Sequence, residues 1–213
     1  MKIYCFSGLG ADKRAFQFLD LSPHELIHVD WIEPHANESL ASYAQRMGQE
    51  VNQNEDYVLM GLSFGGMIVQ ELAQIVQAKK VIVISSIATE KEKPLRMRLT
   101  KALKLYDFVP DRYFIQPSKI AFKMFGVNTQ AEKELLIEIL QDGDPKFIRW
   151  AIASIGNWSN TARVPAFRIH GDSDPLFPVR NVQPDYIVKG GSHLMVVSHS
   201  KEIQTQILNY LSF

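Results

Sequence analysis

The chain has 213 residues, 46% of them hydrophobic, which fits one domain with a proper core and room for an insertion. Its 23 basic residues balance 23 acidic ones, so charge gives no reason to expect nucleic acid or an anionic membrane as partner. Cys5 is the only cysteine, which excludes disulfide scaffolds and cysteine metal clusters, and its apolar surroundings suit a buried, inert thiol. A single lysine and a short apolar run precede Ser7-Gly8, too little for a signal peptide, and no later run could span a bilayer. The expectation is a soluble, cytoplasmic protein.

Residues 2–6 read as a first strand, ending at Ser7-Gly8-Leu9-Gly10. Asp12 can cap a short helix carrying Ala15, Phe16 and Leu19. A second strand is expected from Glu25 to Trp31, closed by Glu33-Pro34. Leu40, Tyr43, Ala44, Met47 and Val51 mark an amphipathic helix with Asn37 or Ser39 near its cap. The apolar run Tyr57 to Met60 suits a strand buried on both faces. It breaks at Gly61-Leu62-Ser63-Phe64-Gly65 and resumes at helical spacing through Met67, Ile68, Leu72, Ala73, Ile75 and Val76. Strand, tight turn with serine at the tip, then helix: this is the outline of a nucleophile elbow. Gly61 and Gly65 would allow the close approach, and Ser63 would sit in a strained conformation with its hydroxyl clear of the sheet. The bland alternative is a glycine-rich turn with a capping serine.

Lys79-Lys80 lead into the strand Val81 to Ile84. From about 89 to 161 only helical spacing is visible: Leu99, Ala102, Leu103 and Tyr106, then Leu135, Leu136, Ile139 and Leu140. Thr129 with Glu132 fits a capping box, and Asp144-Pro145 a helix start. Between Lys91 and Lys123 nine basic residues face three acidic ones, read first as a solvated face and second as attraction for anionic substrates. Trp150 and Trp158 are expected to pack this segment on the core. Strands return at Val164 to His170 and at Tyr186 to Val188, and a last helix is expected from Ser200 as cap, with Ile203, Ile207, Tyr210 and Leu211 buried. Strands alternating with helices indicate an open, mostly parallel sheet with helices on both faces.

Three ordered motifs follow predicted strands: Gly61-x-Ser63-x-Gly65, His170-Gly171-x-x-Asp174 and Gly190-Gly191-x-His193. Together they resemble the α/β-hydrolase superfamily, whose order is Ser, acid, His. The resemblance covers residues 1–88 and 162–213, expected to form the core, with 89–161 as a helical lid insertion. Ser7-Gly8 stands where that family often has His-Gly, and the usual N-terminal antiparallel strands are missing, which implies a reduced sheet with the second strand outside the first.

The resemblance implies Ser63 as nucleophile, His193 as the base that takes its proton, and Asp174 as the carboxylate that orients His193. Asp172 competes with Asp174, but family spacing favours Asp174 and leaves Asp172 as a turn former. The implied oxyanion donors are the backbone N–H groups of Leu9 and Phe64. His170 reads as structural, and His24, His28, His35 and His199 show no metal-ligand spacing. The expected activity is cofactor-free hydrolysis of a carboxylic ester or related acyl compound, with a small-molecule substrate as the partner. The same three residues also fit a carbon–carbon bond hydrolase or lyase, or a small-ligand receptor with little turnover.

Overall fold

The computed structural model describes residues 1–98 and 109–212. The helical spacing of Leu99, Ala102, Leu103 and Tyr106 lies outside the described residues. Six strands, β1 (Lys2–Phe6), β2 (Glu25–Val29), β3 (Tyr57–Leu62), β4 (Lys80–Ile84), β5 (Phe167–Gly171) and β6 (Tyr186–Val188), form one sheet of order β2-β1-β3-β4-β5-β6. Every neighbouring pair is parallel, with Lys2 opposite both Glu25 and Tyr57 and Ile82 opposite Phe167. The chain moves outward from β1 to β2, then returns across β1 to β3 and proceeds the other way. The reversal point lies between β1 and β3, where an open parallel sheet leaves a crevice at its carboxyl edge.

All six residues of β3 are buried, as its unbroken apolar run requires at the centre of a doubly covered sheet. Tyr4, Phe6, Leu59, Val81 and Val83 point to one face, against α1 (Leu40–Met47) and α2 (Phe64–Leu72). Ile3, Cys5, Val58, Met60, Ile82 and Ile84 point to the other, against the 3₁₀ turn Lys13–Phe16 and the C-terminal helices. Each such buried aliphatic chain contributes roughly 1.5–3 kcal/mol of transfer free energy. Ser39, not Asn37, caps α1 by accepting from Ser42 N, and Asp12 caps the 3₁₀ turn through Arg14 N.

Between β4 and β5 the longer described helices are α3 (Lys119–Phe125), α4 (Gln130–Asp142) and α5 (Pro145–Asn157). Thr129 and Glu132 form a complete capping box, and Asp144 caps α5 with Pro145 in its first turn. After β6 come α6 (Met195–Ser198) and α7 (Ser200–Leu211). Among the described residues no helix is long and apolar enough to cross a membrane.

Three local expectations are corrected. Strand β2 stops at Val29 because Trp31 turns inward, its ring 5.3 Å from Phe64 and its indole N–H donating to Ala11 O. Helix α2 stops at Leu72, and Ile75, read as part of its apolar stripe, is 57% exposed. Ser200 begins α7 rather than capping it, since His199 holds the cap position.

Candidate active site

The elbow is built by close approach. A Cβ on Gly65 would overlap the carbonyls of Phe6 and Ser7, and one on Gly61 would overlap Gly65 itself. Ser63 lies between them at φ 53°, ψ −114°, a conformation costing about 1–3 kcal/mol for a residue with a side chain. The strain is held by backbone bonds on both sides: Ser63 N donates to Ile84 O at 2.9 Å, and Gly65 N to Ser7 O at 2.9 Å. The Ser86 hydroxyl adds a 2.6 Å bond to Ser63 O.

Ser63 occupies the cap position of α2 yet makes no capping bond. Its hydroxyl turns instead to His193, with Oγ 2.8 Å from Nε2. The other ring nitrogen, Nδ1, is 2.8 Å from Asp174 Oδ2. The second carboxylate oxygen, Asp174 Oδ1, accepts from the N–H groups of Leu176 (2.7 Å) and Phe177 (2.9 Å), which fixes the carboxylate plane. Because an ionised carboxylate only accepts, His193 Nδ1 carries the proton and Nε2 is left to accept from the serine. Asp172, two residues upstream, accepts from Gly190 N at 2.8 Å and so braces the loop before His193 without facing the ring.

Ser63, Asp174 and His193 therefore converge at the carboxyl edge of the sheet, from the ends of β3 and β5 and the loop after β6. Asp174 and His193 are 3% and 1% exposed. Phe125 and Phe177 stand edge-on to the imidazole, each 5.5 Å between ring centres, and shield it from water. Leu9 and Ser63 line the floor of a cavity of about 390 Å³, walled largely by apolar side chains such as Met97, Phe125, Ile148 and Ile152. Phe122, on the same short helix as Phe125, packs inward against Leu136, Leu140 and Leu194 instead. Trp150 packs on Tyr43 at 4.5 Å and Trp158 donates to Glu71, anchoring the segment after β4 to α1 and α2. A wider groove of about 1020 Å³ beside Glu38, Glu71 and Asn157 touches none of the three converging residues.

Two neighbours carry roles that the sequence did not expose. His170 Nε2 donates to Phe177 O at 2.7 Å and lies 3.4 Å from Asp174 Oδ2. Glu132, recognised only as a capping residue, also accepts from Ser192 beside His193.

Burial would push the Asp174 carboxyl up, but the charge and hydrogen bond of His193, with His170 and the Phe177 N–H, outweigh it and hold it below the usual range. Burial lowers the His170 imidazole, against the pull of Asp174 and the Phe177 carbonyl. Both shifts have the same sign for stability. The unfolded chain binds protons at His170 below about pH 6.5 that the folded chain refuses, so stability should fall as pH drops through that value. The Asp174 contribution should be lost further down, below about pH 4. Urea midpoints at pH 7.5 and 5.5 should therefore differ, and His170→Gln, which keeps an N–H for Phe177 O, should narrow the difference. An unchanged difference would place the acid sensitivity elsewhere.

No family model matches the chain, and neither does any curated protein. Solved structures do match over its whole length. An esterase from Exiguobacterium antarcticum superposes with TM-score 0.77 at 13% identity, covering 100% of this chain and 92% of that one. MenH from S. aureus gives 0.76 at 16% identity, covering 100% and 93%. A thermophilic esterase from Thermogutta terrifontis gives 0.73 at 13% identity, covering 100% and 89%. The chain has the α/β-hydrolase fold. Within that fold the described sheet is six-stranded and all-parallel, and the elbow occupies the strand-to-helix turn at the sheet's reversal point. At such identities the likeness establishes architecture, and the chemistry must be argued from the side chains.

Proposed function

We propose that the protein is a serine hydrolase that cleaves a carboxylic ester or related acyl compound through an acyl-enzyme on Ser63. The observation that carries this reading is the unbroken relay from Asp174 through His193 to the Ser63 hydroxyl, opening on an apolar cavity. A serine hydroxyl is a weak nucleophile until a neighbouring base takes its proton. His193 Nε2 accepts that proton as Ser63 Oγ bonds to the acyl carbon, and Asp174 stabilises the resulting imidazolium. The oxyanion is received by the N–H groups of Phe64, at the first turn of α2 where helical partners are lacking, and of Leu9 in the loop beside Ser63. Collapse breaks the bond to the leaving group, which takes the proton from His193. Water then gives a proton to His193 and attacks the acyl carbon, and the proton returns to Ser63 as the carboxylic acid departs. The helices after β4 act as a lid that shapes the acyl pocket and excludes water.

Being named esterases, two of the structural neighbours agree with the reading without fixing the substrate. The test is a progress curve on a short activated ester with enzyme far below substrate. Sustained turnover of many equivalents is expected. A single burst equal to the enzyme concentration, with no steady state for any acyl length, would refute catalysis and favour a ligand receptor.

A further inference from the structure

We propose that Glu132 is a positioning residue that sets the placement of His193 through Ser192, so that the lid and the catalytic loop are joined by one buried carboxylate. The proposal rests on the reading of His193 as the general base.

Glu132 is 1% exposed, which is unusual for a capping glutamate. Its Oε2 makes the bonds a cap requires, accepting from Thr129 N at 3.1 Å and from Asn128 N at 2.8 Å. Capping leaves Oε1 unused. That oxygen accepts instead from Ser192 Oγ at 3.0 Å and Ser198 Oγ at 2.7 Å, 60 and 66 residues away in sequence. A carboxylate can only accept, so the Ser192 hydroxyl must donate to it. Its lone pairs are then free for Leu194 N, which donates to Ser192 Oγ at 3.1 Å. The residues on either side of His193 are thereby tied to one another and to α4. Ser198 ends α6, so the same carboxylate also holds the far end of the short helix that His193 precedes. Bonds to a buried ionised acceptor are the stronger kind, and they fix direction as well as distance.

The two roles of Glu132, cap and brace, can be separated by Glu132→Gln. The glutamine carbonyl must face the two backbone N–H groups, which leaves its amide NH₂ facing Ser192 and Ser198. Ser192 Oγ would then receive two donors while its own proton lost its acceptor. The cap survives, while the charge-assisted bond from Ser192 is replaced by a weaker one of reversed direction. In the full-length chain, Glu132→Gln and Ser192→Ala should each lower kcat on an activated ester about tenfold or more, with KM changed less than about twofold. The rate of fluorophosphonate labelling should fall in parallel. Thr129→Ala, which removes only the cap hydroxyl, should lower the melting temperature and leave kcat near the parental value. Folded Glu132→Gln and Ser192→Ala proteins with parental kcat and labelling rate would overturn the proposal, leaving Glu132 a cap alone. If Glu132→Gln does not fold, Ser192→Ala decides by the same criterion. His193→Ala runs alongside: should it label as fast as the parent, the base assignment itself has failed and the brace falls with it.

Discussion

Ser63→Ala should abolish turnover and fluorophosphonate labelling while leaving the thermal midpoint within a few degrees of the parent. Among the described residues the serine hydroxyl has one side-chain partner, His193 Nε2, and it contributes no cap to α2. Alanine keeps the Cβ, so the strain at φ 53° is unchanged, and the backbone bonds to Ile84 and from Ser86 remain. Under the proposed function the chemical step, by contrast, loses the atom that would form the covalent bond. A loss on the order of 10⁶ in kcat is the scale for removing such a nucleophile. Parental labelling in the alanine variant, or a modified peptide mapping to another serine, would show that the relay is not the reactive centre.

Asp174→Asn should cost about 10⁴ in kcat, whereas Asp172→Asn should cost less than about tenfold. The reason is directional. Asp174 Oδ1 is held by two backbone N–H groups, so an asparagine must keep its carbonyl there and place its NH₂ where Oδ2 now sits. That NH₂ would donate to His193 Nδ1, drive the ring proton to Nε2 and leave Ser63 facing a donor instead of a base. Asparagine at 172 can still accept from Gly190 N through its own carbonyl. Steady-state kinetics of the two variants check the ranking, and the reverse order would mean that the orienting carboxylate was misassigned.

Much of this was legible in the sequence because local chemistry and tertiary demand agree. The β3 run is apolar on every residue since both of its faces are covered, and the glycines beside Ser63 are required by backbone overlap that any side chain would create. Capping residues Asp12, Ser39, Thr129 and Asp144 announced their helices through hydrogen bonds made within three residues. The choice between Asp172 and Asp174 was not open to the same reasoning. Both follow one strand, and only the fold shows that one faces Gly190 and the other the imidazole. Glu132 was legible as a cap because Thr129 is three residues away. Its second set of partners was not, since Ser192 and Ser198 arrive from the other end of the chain. Ile75 misled for the opposite reason: its spacing matched a helix stripe, but the helix had already ended and no surface came to cover it.

The parallel arrangement of the sheet has a consequence for how the protein reaches its working state. Parallel neighbours cannot be joined by a tight hairpin, so every pairing closes a long loop before any hydrogen bond rewards it. Ser63 and His193 are 130 residues apart in sequence, and Asp174 joins them only once β3, β4, β5 and β6 are all in place. Local helices form early in such a chain, and non-local strand pairing limits the rate. The relay is thus absent from every partly assembled form. A refolding population can show full helical signal before the relay exists, and under the proposed function the return of labelling at Ser63 would time completion of the whole sheet.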